Sequence, residues 1–170
     1  DHMFDKGFLP DMRKIIKQIP KSRQSVIFSA TMPKEIERLT QDILVHPVRI
    51  KINHCKPAPS IEHTFFSVTN SDKNRFLQTL LQEKGITRAL VFTRTKHKAK
   101  SLAMSLKKKG FQAVSMQGNL SQQKRKQALE GFQQGTFTIM VATDIAARGI
   151  DVQEISHVIN YDLPDTVETY

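Results

Sequence analysis

Ala142-Thr143-Asp144-Ile145-Ala146-Ala147-Arg148-Gly149-Ile150-Asp151 follows without a break on the apolar run Phe137-Thr138-Ile139-Met140-Val141. A run of that kind suits a strand buried on both faces, which is the situation of a parallel sheet covered by helices. In open sheets of this class ligands sit outside the carboxyl ends of the strands. Thr143 and Asp144 emerge at such an end, so the polar residues of the decapeptide read as a site. Gly149 permits a positive φ or the close approach of a ligand, and Asp151 offers an acceptor to whatever lies in the crevice. Taken singly, Thr143 could cap a helix and Arg148 could be a solvated charge; taken together they point to a binding site.

The same alternation of apolar runs and helical patterns extends in both directions, the signature of an α/β fold. Ser25 to Phe28 reads as a buried strand, followed by a helix that starts near Pro33 and carries Ile36, Leu39 and Ile43 on one face. Val48 to Ile52 alternates like a second strand. Two prolines mark 53–60 as an extended linker, which divides the chain into parts at 1–52 and 61–170. Beyond the linker, Ile61 to Val68 suits a strand, and Asp72 to Lys84 a helix closed by Gly85. Ala89 to Phe92 is a strand; Thr95 caps the next helix, whose inner face is Ala99, Leu102, Ala103 and Leu106, and Gly110 ends it. Gln112 to Met116 is a strand, Ser121 caps a helix carrying Ala128, Leu129 and Phe132, and Ser156 to Asn160 adds a last strand. Right-handed crossovers would wind this series into a parallel sheet with helices on both faces.

Of the 170 residues, 39% are hydrophobic, enough for a core, and none of the apolar stretches approaches the length of a membrane span. A single cysteine, Cys55, cannot form an internal disulfide, which together with the absence of a signal-like N-terminus predicts a cytoplasmic location. The histidines show no metal-ligand spacing, so no metal site is assigned. Twenty-six basic residues against sixteen acidic ones give a formal charge of +10, and the ten Lys and Arg from Arg94 to Lys126, with no Asp or Glu among them, equal that whole excess. Placed beside groups suited to phosphate, such a span favours a nucleic acid over a membrane.

The decapeptide from Ala142 to Asp151 closely resembles motif V of the DEAD-box RNA helicases. Phe28-Ser29-Ala30-Thr31-Met32 is similar to their motif III, and Leu90-Val91-Phe92-Thr93-Arg94-Thr95-Lys96 to their motif IV. Gln117-Gly118-Asn119-Leu120-Ser121-Gln122-Gln123-Lys124-Arg125 resembles the adjacent RNA-binding segment, and Asp1 looks like the last letter of the Asp-Glu-Ala-Asp box. The resemblance covers essentially the whole chain. It implies the end of a first RecA-like lobe at 1–52 and a second lobe, cut before motif VI, at 61–170. The subgroup it suggests is the bacterial RhlE-like one.

By that resemblance the parent is an ATP-dependent RNA helicase that binds ATP and single-stranded RNA between its lobes and opens short duplexes locally. Thr93, Arg94, Gly118, Asn119, Arg125, Thr143 and Asp144 would meet the RNA. Gly149 and Asp151 would hold the ATP ribose, Asp1, Ser29 and Thr31 would serve catalysis and its coupling to RNA, and Phe92 and Arg148 would give support. ATP would come with Mg²⁺, both bound mainly by parts of the parent outside these residues. No Gly-x-x-x-x-Gly-Lys-[Ser/Thr] loop occurs here, and the arginine-rich motif of the transition state is absent, so this segment alone is expected to hydrolyse no ATP. Two other classes remain open: a non-catalytic nucleic-acid-binding module, and an unrelated α/β enzyme acting on a small phosphorylated substrate.

Overall fold

The computed structural model describes residues 8–29, 32, 34–50, 61–147, 150, 152 and 154–164. The chain divides into two compact units, Asp1–His63 and Thr64–Tyr170.

Among its described residues the first unit holds two helices, α1 (Leu9–Gln18) and α2 (Lys34–Ile43). Pro10 stands in the first turn of α1, where its missing N–H costs nothing, with Asp11 beside it and Lys17 in the last turn, both placed to suit the helix dipole. The strands expected at Ser25 to Phe28 and at Val48 to Ile52 are not found among the described residues, and Ile61 to Val68 is not a strand either. Most of their described apolar side chains are exposed, Phe28 to 88% and Val48 to 88%. The physical reason is pairing. A strand satisfies its N–H and C=O groups through a neighbour, and no described residue pairs with these segments. The linker at 53–60 lies outside the described residues.

The second unit contains α3 (Lys73–Leu80), β1 (Ala89–Phe92), α4 (Lys96–Lys108), β2 (Ala113–Met116), α5 (Gln122–Gln133), β3 (Ile139–Ala142), α6 (Asp144–Ala147) and β4 (His157–Asn160). The four strands form one sheet in the order β2-β3-β1-β4, and every pairing is parallel. From β1 the chain runs through α4 to the far edge at β2, then returns through α5 to β3. Right-handed crossovers in opposite directions put their helices on opposite faces. The pleat then sorts the core. Ala89, Val91, Ala113, Ile139 and Val141 pack with Leu77, Leu81 and the Ala99, Leu102, Ala103 and Leu106 face of α4. Leu90, Met116, Met140 and Ala142 pack on the other side with Ala128 and Phe132 of α5 and Ala146 of α6.

Capping chemistry sets the ends of the long helices. Thr95 accepts from the Lys98 N–H and Ser121 from the Lys124 N–H. After α4 the chain turns at Gly110, whose φ of +89° is open to glycine at little cost. Two elements differ from the sequence expectation by more than one residue at an end. α3 ends at Leu80 because the Gln82 and Glu83 N–H groups tighten onto Thr79 and Leu80, three residues back, instead of continuing the α pattern. β3 begins at Ile139, since the Phe137 N–H donates to the Gly131 carbonyl and the ring lies over that glycine, within 2.7 Å of where a Cβ would be.

Candidate nucleic-acid interface

The connection after β1 leaves toward one face of the sheet and the connection after β3 toward the other. The carboxyl ends of these adjacent strands therefore bound the crevice where open α/β sheets bind ligands. Four loops meet at this edge: Thr93-Arg94 after β1, Gln117-Gly118-Asn119 after β2, Thr143-Asp144 after β3 and Asp162-Leu163 after β4.

Thr93 is 3% exposed. Its N–H donates to the Ala142 carbonyl at 2.9 Å, and its hydroxyl lies 3.4 Å from both the Ala142 and Thr95 carbonyls. It thus ties the β1 and β3 ends together from beneath the surface. Arg94 is exposed above it. Its N–H donates to Asp162 Oδ2 at 3.0 Å and its guanidinium to the Leu163 carbonyl at 3.3 Å. Asp162 also faces Lys73 Nζ at 3.5 Å, while that ammonium donates to the Tyr161 carbonyl. The Tyr161 ring in turn lies between two cations, Lys73 at 5.3 Å and Lys98 at 5.2 Å, and its hydroxyl donates to Asn74.

On the β2 side, Gln117 is 5% exposed, and its Oε1 accepts from the Asn119 N–H at 2.7 Å, which fixes the loop. Asn119 Oδ1 accepts from Lys96 Nζ at 3.1 Å. Gly118 is exposed and does not have a positive φ, and a Cβ built on it would meet nothing within 4 Å. Neither backbone conformation nor packing thus calls for glycine there; a bare backbone suits a ligand that comes close. Arg125, half-buried on α5, donates to the Ala146 carbonyl at 3.3 Å and so braces the segment after β3. In that segment the Thr143 carbonyl accepts from the Ala146 and Ala147 N–H groups. Phe92 packs against the core on the α5 face.

The fold therefore gathers Thr93, Arg94, Gly118, Asn119, Arg125, Thr143 and Asp144 at one edge. Ser29 is half-buried in the first unit, whereas Asp1, Thr31, Arg148, Gly149 and Asp151 lie outside the described residues. Two participants, Asp162 and Lys73, lie outside the residues that the sequence assigns to the site, although Asp162-Leu163-Pro164 resembles a strand end of the family. Asp162 carries a readable signal, a carboxylate just past a strand in a series whose other strand ends are polar. Lys73 has none, since it meets Tyr161 across 88 positions of sequence.

Comparison with known proteins places the chain in a lineage. The family described as Helicase conserved C-terminal domain matches residues 72–170, and that described as DEAD/DEAH box helicase matches residues 1–39. The chain belongs to the DEAD-box helicases. Among its curated relatives, RNA helicase CrhR of Synechocystis sp. is 39% identical over 172 residues, covering all of this chain and 35% of the relative. ATP-dependent RNA helicase DeaD of Escherichia coli is 36% identical over 171 residues, again covering all of this chain and 27% of the relative. This DEAD-box chain thus spans about a third or less of the length of these relatives. Among solved structures, a DEAD box protein from Methanococcus jannaschii matches at 37% identity and a TM-score of 0.62, over 99% of this chain and 45% of that one. Dbp5 of Saccharomyces cerevisiae bound to RNA and ADP BeF3 matches at 26% identity and a TM-score of 0.82, over 98% of this chain and 43% of that one. Among the described residues no helix is long and apolar enough to cross a membrane, and no three His, Cys, Asp or Glu side chains are grouped to hold a metal ion.

Proposed function

We propose that this chain is part of a cytoplasmic ATP-dependent RNA helicase, and that the carboxyl edge of its parallel sheet grips the backbone of single-stranded RNA. The observation that carries the reading is the convergence of Arg94, Gly118, Asn119 and Thr143 on one edge, with Gly118 left bare for no structural reason. Arg94 supplies charge, Gly118 and its neighbours supply N–H groups at close range, and Thr143 supplies a hydroxyl. Thr93, Arg125 and Phe92 position these groups, and Asp144 lines the same edge. Contacts of this kind read little base sequence, and preference for RNA over DNA would come from 2′-hydroxyls.

The ATP ribose is assigned to Asp151 with Gly149 beside it, supported by Arg148, and the coupling of hydrolysis to RNA to Asp1, Ser29 and Thr31. Mg²⁺ would be held with the triphosphate by other parts of the whole protein. The division at 53–60 would separate two lobes. The 170-residue chain by itself is expected to hydrolyse no ATP.

The test is ATP hydrolysis by the whole protein with and without single-stranded RNA. Stimulation by RNA that is lost in Thr143→Ala and Gly118→Val, with unfolding midpoints unchanged in the latter, supports the reading. Hydrolysis indifferent to RNA, or RNA affinity unaffected by either substitution, overturns it.

A further inference from the structure

The ten basic residues from Arg94 to Lys126 exceed what the strand ends use. Arg94 and Arg125 among them belong to the edge described above, Lys96 reaches it through Asn119, and Lys98 is taken up against Tyr161. Lys96, Lys100 and Lys124 line a single concavity of about 470 Å³ together with His97, Ser115 and Gln117.

The concavity follows from the topology. β2 is the edge strand, so the side of the sheet beyond it is open, bounded by the first turns of α4 and α5. Ser115 shares a pleat face with Ala113, which lies in the core; two residues farther on, the hydroxyl of Ser115 replaces an apolar group and gives the concavity a polar floor. Its lining includes no Asp or Glu. The helix dipoles of α4 and α5 both present their positive ends here, adding to three lysine charges. Leu120 is the one aliphatic side chain in the lining, so an apolar peptide anchor finds little to bury. The site is continuous with the strand ends through Gln117 and Asn119, and Lys100 stands one helical turn, about 5.4 Å, below Lys96 along α4.

We propose that this flank is a second phosphate-binding subsite, which takes the RNA backbone after it leaves the strand ends and carries it over the β2 edge. The inference rests on the functional reading above and extends its footprint. Lys100 and Lys124 are the principal cations; Lys96, which already donates to Asn119, links the subsite to the loop after β2. The subsite lengthens the RNA contact without adding base specificity.

The test compares two oligoribonucleotides on the whole protein, one just long enough to saturate ATPase stimulation and one several nucleotides longer at each end. Lys100 and Lys124 are exposed, so Lys100→Gln/Lys124→Gln should fold normally. For the longer RNA the slope of log K against log salt should become shallower by about 1.4, two contacts at about 0.7 each, and affinity near physiological salt should fall about ten-fold. The shorter RNA should bind as before, and its stimulation of ATPase should not change. Equal slopes for wild type and variant on the longer RNA overturn the subsite. So does an equal loss on both lengths, which would place the lysines at the strand ends. A wild type that binds neither RNA overturns the functional reading, and this inference with it.

Discussion

Ser25-Val26-Ile27-Phe28 and Ala89-Leu90-Val91-Phe92 are close to equivalent as sequence, each a short apolar run leading directly to a hydroxyl residue. In the folded chain they part company: Val91 is fully buried, and Phe28 is 88% exposed. Their intrinsic strand propensity does not account for this. Val91 is paired with Val141 on one side and Ile159 on the other, and helices cover both faces of that sheet. No described residue pairs with the first run. The contacts described in the first unit include ion pairs between exposed groups, such as Arg13 with Asp42 and Arg49 with Glu37, each worth at most about 1 kcal/mol. None of the side chains described in that unit is buried. A β-strand is thus a property of the neighbours it finds as much as of its own residues.

Native-state hydrogen exchange on the 170-residue chain should show the widest contrast. The amides of Val91 and Met140 are expected to exchange only through global opening of the second unit, and those of Val26 to Phe28 with little protection. For a stable domain that difference corresponds to about 5 kcal/mol or more. Comparable protection in the two runs would break the comparison. Next in size, Phe132→Ala should destabilise the second unit by about 3–5 kcal/mol, because the ring is fully buried on the α5 face. Phe28→Ala should move urea unfolding by no more than about 0.5 kcal/mol. A loss between these two is expected at Gly110, where a positive φ rather than packing demands glycine; Gly110→Ala should cost about 1–2 kcal/mol in the same measurement.

The contrast also explains what was legible beforehand. Thr95 and Ser121 as caps, and the Ala99, Leu102, Ala103 and Leu106 face of α4, depend on local rules that act within a few residues, and the structure contains them as read. The parallel sheet followed from the βαβ alternation, because each strand there finds partners inside the same segment. The runs at Ser25, Val48 and Ile61 carried the same periodicity, yet periodicity shows only that a segment can be a strand. At the candidate interface the loops after β1, β2 and β3 were readable as motifs. The burial of Thr93, the brace from Arg125 to Ala146 and the hold of Asp162 on Arg94 were not, since each joins elements that only the fold makes adjacent.

Asp162 offers the finest way to sharpen the comparison, because it asks whether the second unit's site is held by the same long-range pairing that builds its core. Its carboxylate accepts from the Arg94 N–H at 3.0 Å, and it also faces Lys73. If its role is to hold the loop after β1, Asp162→Ala should weaken RNA binding about five-fold, the equivalent of about 1 kcal/mol for one lost hydrogen bond. Asp162→Asn keeps an oxygen for the Arg94 N–H and should stay within about two-fold of wild type. A purely electrostatic role predicts the opposite sign. Removing a negative charge beside bound RNA would tighten binding, and Ala and Asn would do so equally. Binding by fluorescence anisotropy at two salt concentrations separates these outcomes, since only the electrostatic gain would fade as salt rises.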